Sequence, residues 1–163
     1  MRWKIPQFAL MLLLFFCSKP AEISETEDHT RYVDPFIGTD GTGHTFPGPS
    51  MPFGMVQPGP DNTDIGWDYT SGYQLKDSTI IGFSNTRASG TGISEFGDIL
   101  LFPFIGEPSE YSSTKSSEEA EVGYYQVTLG NGVTAELTST ERVALHLYQY
   151  PTMDAKLLLN LQH

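Results

Sequence analysis

Residues 124–139 read YYQVTLGNGVTAELTS, and this stretch predicts the fold class of the chain. Apolar and polar side chains alternate on both sides of the central GNG, with the apolar positions at Tyr125, Val127, Leu129, Val133, Ala135 and Leu137. An alternation of period two is typical of a strand with one buried face. Asn-Gly accepts a positive φ and is preferred in hairpin turns. The stretch therefore predicts a β-hairpin.

Similar short segments, rich in β-branched and aromatic residues, recur between Gly, Asn, Asp and Pro, and no long apolar pattern of period 3.6 is found. They predict strands at about 55–58, 79–84, 98–104, 123–129, 133–139, 143–150 and 156–161. Several short strands separated by turn signals are typical of an all-β, antiparallel β-sandwich. The polar segment 109–121, SEYSSTKSSEEAE, is predicted to be an exposed loop.

Composition limits the class of protein. At 163 residues the chain is at most one domain or part of one, and 39% hydrophobic residues suffice for a packed core. Nine basic residues against 20 acidic ones give a net charge of −11. That charge repels a polyanion, so we expect no nucleic-acid partner.

The N-terminus has the pattern of an export signal. Arg2 and Lys4 precede an apolar run over about residues 8–16, and Cys17 follows it. The run is too short to cross a bilayer, which takes about 20 helical residues. We predict a signal of lipoprotein type at 1–17, with Cys17 lipidated and a membrane anchor as its consequence. The alternative is ordinary signal cleavage before SETEDHT.

Residues 18–30 are polar and acidic, and they are predicted to be a tether that leads into a domain at 31–163. Cys17 is the only cysteine, so an internal disulfide is not expected. The chain ends at His163 directly after an apolar strand, and from this we expect a fragment of a longer protein.

Residues 38–60, GTDGTGHTFPGPSMPFGMVQPGP, are about half glycine and proline but also carry large apolar residues. Flexible linkers usually lack such residues. The two interpretations are a tether or a shaped loop, and in the second we expect Phe46 and Phe53 to anchor the loop on the core.

Nine segments, taken together and in this order along the chain, resemble the N-terminal domain of glycoside hydrolase family 92, a family of exo-acting α-mannosidases. They are YVDPFIGT (32–39), GHTFPG (43–48), PFGMVQPGPD (52–61), GWDYTSGY (66–73), IIGFS (80–84), SGTG (89–92), GDILLFP (97–103), ERVALHLYQYP (141–151) and LLLNLQH (157–163). The resemblance covers essentially everything after the tether.

The resemblance implies a β-sandwich followed by an (α/α)6 barrel domain. Hydrolysis in the family is inverting and depends on Ca2+, and the barrel holds both the calcium and the acid and base carboxylates. We therefore expect no catalytic residue and no metal ligand in this chain. The run at 38–60 is expected at the cleft between the two domains.

For the whole protein, the resemblance implies an enzyme that acts on mannose-containing glycans, with α-1,2 linkages as the first expectation. Its expected location is the periplasm or the outer membrane of a Gram-negative bacterium. The alternative function is a stand-alone carbohydrate-binding sandwich.

Four residues are predicted to contact substrate. Trp67 offers a flat apolar face to a sugar ring, and the resemblance implies the subsite of the leaving-group sugar. The alternative is a tryptophan in the core. Asp68 and His44 are candidates for hydrogen bonds to hydroxyls, although His44 could instead orient its loop. Many family members have histidine where this chain has Asn85 and Arg87, and Arg87 could donate two parallel hydrogen bonds to a ligand.

Other polar residues have structural interpretations. Asp61, Asp64 and Asp68 do not match an EF-hand loop, because ligand positions hold Thr63 and Ile65. We expect turn roles for these aspartates. Spacing alone does not exclude Glu95 and Asp98 as a carboxylate pair, but the resemblance implies loop and strand-entry roles. His146, in the middle of a strand, is predicted to be a core or interface histidine.

Overall fold

The computed structural model describes residues 27–63, 66–90, 96–107 and 109–163, and these form an all-β protein with two antiparallel sheets. Two short 3-10 turns occur at Thr30–Tyr32 and Trp67–Tyr69. The strands are β1 (Gly59–Asp61), β2 (Thr79–Ile80), β3 (Gly82–Ser84), β4 (Leu100–Ile105), β5 (Ser113–Glu121), β6 (Tyr124–Leu129), β7 (Thr134–Ser139), β8 (Ala144–Gln149) and β9 (Ala155–Asn160). The predicted fold class is confirmed.

Predictions for the N-terminus fall on residues that the structure does not describe. The signal at 1–17, Cys17 and most of the tether at 18–30 lie outside the described residues. Among the helices of the described part, none is long and apolar enough to cross a membrane.

The described strands form one four-stranded sheet and one five-stranded sheet. Sheet A has the order β1-β3-β4-β9, and sheet B has the order β2-β5-β6-β7-β8. The predicted strand at 79–84 is divided at Ile81: Thr79–Ile80 pair with β5 in sheet B, and Gly82–Ser84 pair with β1 and β4 in sheet A. This one segment therefore joins the two sheets.

The predicted strand at 55–58 is wrong. Its backbone bonds go to two separate places, from Met55 N to Glu141 O and from Gln57 N to Asn85 O, so no continuous ladder forms. Pro58 has no N–H to extend the pairing. The strand begins one residue later, at Gly59.

The predicted hairpin is confirmed as β6 and β7. Tyr125 lies opposite Leu137, and Val127 lies opposite Ala135, all facing the core. The turn has three residues, since Leu129 N donates to Val133 O over 2.8 Å. Of these three, only Gly132 has a positive φ, of 85°, which is the position that favours glycine.

The predicted exposed loop at 109–121 is also wrong, because residues 113–121 form β5. The pairing register shifts between Lys115 and Ser117, so that Lys115 and Glu118 lie on the same side of the strand. Their side chains are largely buried and form an ion pair of 2.8 Å. The oxygen Oε1 of Glu118 accepts hydrogen bonds from the hydroxyls of Tyr73 and Tyr125. The inward-facing side chains of β5 are therefore polar residues with polar partners, so the strand lacks the alternating apolar residues by which strands are predicted.

The core lies between the sheets and is built from Ile80, Phe83, Phe102, Phe104, Tyr125, Val127, Leu129, Ala135 and Leu137. The two edge strands that come last in sequence also expose apolar side chains. These are Leu145 and Leu147 on β8, and Leu157 and Leu159 on β9. The loops that lead into and out of β1 carry the candidate site residues.

Candidate functional site

The first part of the glycine-rich run is a compact loop, which we call the His44 loop (residues 36–48). Thr39 donates to Phe36 O through both N and Oγ1, and Thr45 N donates to Gly38 O. A Cβ on Gly43 would lie 2.0 Å from Gly38 O, so only glycine fits there. These contacts describe a shaped loop, not a tether.

The two phenylalanines of the run differ from each other. Phe46 is half-buried, and its ring centroid lies 5.7 Å from the Arg87 guanidinium. Phe53 is fully exposed and has a φ of 60°, so its predicted contact with the core is wrong. Met51 and Met55 beside it are exposed as well.

His44 is buried, with 1% of its surface exposed. Its Nδ1 lies 3.2 Å from Gly90 O, and a carbonyl oxygen only accepts, so Nδ1 carries the proton. In the neutral ring, Nε2 is then an acceptor, and it has no hydrogen-bond partner within the described part of the chain. Nε2 lies 3.9 Å from Asp68 Oδ1.

Trp67 begins the second site segment, the Trp67 loop (residues 66–72). Gly66 precedes it with a φ of 110°, and Thr70 Oγ1 donates to Trp67 O. The indole is 58% exposed, which contradicts the alternative of a core tryptophan. Its ring lies 5.5 Å from the His44 ring, edge to face. The structure thus brings together three of the four predicted residues: His44, Trp67 and Asp68.

Arg87 is not part of this group. It is 6% exposed, and Nη2 donates to Asp61 Oδ2 over 2.9 Å. All its N–H groups are used inside the protein, with further acceptors on Gln57 O, Gly59 O, Pro60 O, Ser71 O and Ser84 Oγ. No donor remains for a ligand, so the prediction of substrate contact by Arg87 is wrong. Arg87 instead holds the backbone around β1.

The remaining acidic candidates have structural partners or lie outside the description. Asp98 accepts from Thr86 Oγ1 at the entry to β4, as expected for a strand-entry role. Asp64 and Glu95 are not among the described residues. In ranges 27–63, 66–90, 96–107 and 109–163, no group of three or more His, Cys, Asp or Glu lies together as a metal would require.

His146 has the structural role that was predicted for it. Its Nε2 lies 3.0 Å from Asn85 Oδ1, and its Nδ1 lies 2.8 Å from the Tyr148 hydroxyl. Burial, helped by the charge of Arg87, lowers the pKa of His146 to about 4. The ring is therefore neutral near neutral pH, and it joins β8 to the residue that follows β3.

Gln74 is the residue that the sequence analysis missed. Its buried side-chain Nε2 donates to Gly41 O in the His44 loop and to Asp68 O in the Trp67 loop. No motif or spacing indicates this role. Only the folded backbone brings two distant carbonyl groups to one amide.

Sequence comparison identifies the domain. The chain matches the Glycosyl hydrolase family 92 N-terminal domain over residues 32–163. A relative described as an uncharacterized secreted glycosidase of Arthroderma benhamiae is 35% identical over 142 residues, which are 79% of this chain and 18% of that protein.

Solved structures give the same assignment. A family GH92 α-mannosidase from Bacteroides thetaiotaomicron, in complex with mannoimidazole, superposes with a TM-score of 0.79 and 40% identity, over 82% of this chain and 20% of that one. For the family GH92 glycosyl hydrolase CcMan5 the TM-score is 0.74 and the identity 29%, over 83% of this chain and 21% of that one. The chain spans about a fifth of the length of these proteins. It belongs to glycoside hydrolase family 92, a family of glycosidases, and carries its N-terminal β-sandwich domain.

Proposed function

We propose that this chain is the sugar-contacting N-terminal part of an exported exo-α-mannosidase that acts by inversion and depends on calcium, with α-1,2-linked mannose as the first substrate to test. The observation that carries the proposal is the group formed by Trp67, His44 and Asp68. An exposed indole lies beside a buried acceptor nitrogen and a half-exposed carboxylate.

This group has the chemistry that a sugar requires. The indole face covers the C–H face of a pyranose ring, and its burial is favourable. Nε2 of His44 can accept a hydrogen bond from one hydroxyl, and Asp68 can accept another from a neighbouring hydroxyl. The 3.9 Å between Nε2 and Oδ1 is a separation that two neighbouring hydroxyls of one ring can span.

The support for mannose comes from a relative. The structure that is 40% identical to this chain is a family GH92 α-mannosidase solved with mannoimidazole. That relationship supports mannose as the substrate class, and the three side chains here have the chemistry for contact with a ring and its hydroxyls.

The proposal assigns the acid, the base and the calcium to a catalytic domain of the full-length protein. The described residues offer no cluster of three potential metal ligands, so they do not fit a calcium ion. The exposed Met51, Phe53 and Met55 suit a surface that packs against that domain, because large exposed apolar groups commonly mark interaction sites.

The experiment measures mannose release by the full-length protein and by residues 18–163 alone. We expect the full-length protein to release mannose from α-linked mannobioses, with inverted anomeric configuration and loss of activity in chelator. We expect the short chain to be inactive. Calcium-dependent release by the short chain would contradict the proposal.

The alternative is a stand-alone carbohydrate-binding sandwich, and the two functions differ in what the gene should encode after His163. A reading frame that continues past His163 into a helix-rich domain supports the enzyme, and a stop codon there supports the binding protein.

Export and anchoring are part of the proposal. The Arthroderma benhamiae relative is described as secreted, and the N-terminal pattern of this chain suggests a lipidated Cys17. We expect Cys17→Ser to move the protein from the membrane fraction to the soluble fraction. Equal partition of the two forms would contradict lipidation.

A further inference from the structure

We infer that Gln74 is a positioning residue that holds the His44 loop against the Trp67 loop and so sets the geometry of the proposed sugar site. Its side-chain amide joins the two loops directly, through 2.9 Å to Gly41 O and 2.5 Å to Asp68 O. The inference deepens the proposed function and rests on it for the identity of the ligand.

The orientation of the Gln74 amide follows from its partners. Two carbonyl oxygens face the same end of the side chain, and carbonyl oxygens only accept, so that end must be the NH2 group. Glutamine is the residue that supplies two N–H donors on one uncharged nitrogen at this length. A glutamate there would place an oxygen against two oxygens.

Each loop is internally braced, so fixing one atom of a loop fixes its site residue. In the His44 loop, Thr45 N bonds to Gly38 O, which closes the backbone around Gly41 and His44. In the Trp67 loop, Tyr69 N donates to Gly66 O and thereby closes the turn that carries Asp68. What remains to be set is the position of one loop relative to the other.

Gln74 is itself held firmly. Its backbone N donates to Asn62 Oδ1 over 2.6 Å, and the Asn62 side-chain NH2 donates to Thr79 O at the start of β2. The next residue, Leu75, donates from its backbone N to Thr39 O and accepts from Lys115 Nζ. A buried, anchored side chain that joins two braced loops is suited to set the 5.5 Å contact between the His44 and Trp67 rings.

The test uses Trp67 as a fluorescent reporter. The chain has two tryptophans, Trp3 and Trp67, so Trp3→Phe leaves Trp67 as the only emitter. In this background we measure the acrylamide quenching of Trp67 in Gln74→Glu and in Gln74→Met. His44→Ala is the reference variant, because it gives the quenching of Trp67 when the neighbouring imidazole is absent. Asn131→Asp is the matched control, because its amide also donates to a buried carbonyl, Pro103 O, but at the β6–β7 turn.

We expect both Gln74 variants to keep the far-UV circular dichroism of a folded sandwich while the acrylamide quenching of Trp67 rises to the value of the His44→Ala variant. Asn131→Asp should keep the quenching of the parent. We also titrate each variant with methyl α-mannoside and follow the fluorescence of Trp67. The mannoside concentration that gives half of the maximal fluorescence change should rise about tenfold in the Gln74 variants, as expected for two lost hydrogen bonds.

Two results would overturn the inference. One is parental quenching in folded Gln74 variants. The other is loss of the folded state in both of them while Asn131→Asp stays folded, which would make Gln74 a support of the fold. If the parent itself gives no response to methyl α-mannoside, the proposed function fails, and the quenching data still decide the role of Gln74.

Discussion

At the scale of single residues, Trp67 and Arg87 show why a side chain's surroundings decide its role. Trp67 lies in a segment that resembles the family and Arg87 at a position that departs from it, yet both have chemistry suited to a sugar. The indole is more than half exposed beside a polar group, whereas the guanidinium is enclosed by backbone carbonyls. Exposure therefore separates the residue that can contact a ligand from the residue that cannot.

Under the proposed function, Trp67→Ala in the full-length protein should reduce kcat/KM for a mannobiose by roughly 10- to 150-fold, because a contact of about 1.5–3 kcal/mol is lost. An aryl mannoside, whose leaving group needs little assistance, should be affected much less. Stability should change by less than about 1 kcal/mol, since an exposed ring contributes little to the core. Trp67→Phe, which keeps a stacking face, is the control. A large fall in melting temperature with equal losses on both substrates would contradict the sugar contact.

Arg87→Met should lower the free energy of unfolding by about 3–5 kcal/mol, because the substitution leaves Asp61 buried and without its cation. Arg31→Met is the matched control, since Arg31 and Glu27 form an exposed pair, and we expect it to change stability very little. Urea denaturation measures both. Unchanged stability of Arg87→Met together with weaker mannoside binding would restore the predicted sugar contact.

His146 predicts a dependence of stability on pH. Its pKa is about 4 in the folded state and near 6.5 in the unfolded chain, so the unfolded state binds more protons between these values. The contribution of His146 to the free energy of unfolding is fully present above pH 6.5. It is lost as the pH falls towards 4, and the total loss is about 3 kcal/mol. Denaturation by urea across this range should show a weaker pH dependence in His146→Gln than in the parent. Equal slopes would contradict a neutral, buried His146, and His29→Gln, at an exposed position, serves as the control.

At the scale of elements, two turns allow backbone strain to be separated from steric contact. Gly123 and Gly132 have nearly the same positive φ, 83° and 85°. A Cβ on Gly123 would meet nothing within 4 Å, whereas one on Gly132 would lie 3.1 Å from Pro151 Cγ. Gly123→Ala should therefore cost about 1–2 kcal/mol, the strain of a left-handed backbone alone. Gly132→Ala should lower the free energy of unfolding by more than Gly123→Ala does, because the added Cβ also meets Pro151. Urea denaturation of both variants measures the two losses, and the reverse order would contradict this account.

Elements with one apolar face were predictable from sequence, and elements held by polar contacts were not. The β6–β7 hairpin follows from alternation and a glycine turn. Strand β5 has almost no apolar pattern, because Lys115 and Glu118 turn inward through a bulge and satisfy each other. Likewise, Trp67 could be proposed from its motif, whereas Gln74 acts through carbonyl groups that only the fold brings together.

At the scale of the whole molecule, the outer faces of β8 and β9 predict self-association of this chain. Leu157 and Leu159 are about half exposed on an edge strand, and such strands pair readily with other chains. We expect the sedimentation coefficient to rise with protein concentration. Leu157→Thr with Leu159→Thr should shift the chain towards monomer, whereas Gln126→Thr on the central strand β6 should not. A parent chain that is monomeric at every concentration would contradict the prediction.

The division of the strands between the two sheets also has a consequence for the order of folding. Strands β5 to β8 are consecutive in sequence and pair as a meander, whereas sheet A joins β4 to β9 with Leu100 opposite Asn160. Pairings between near neighbours close short loops and form fast, and distant pairings form late. Sheet A is therefore completed after sheet B, when β9 pairs with β4 at its edge. During synthesis, one side of β4 would therefore stay unpaired until residues 155–160 are made, and for that time it is an open edge to which another chain can add.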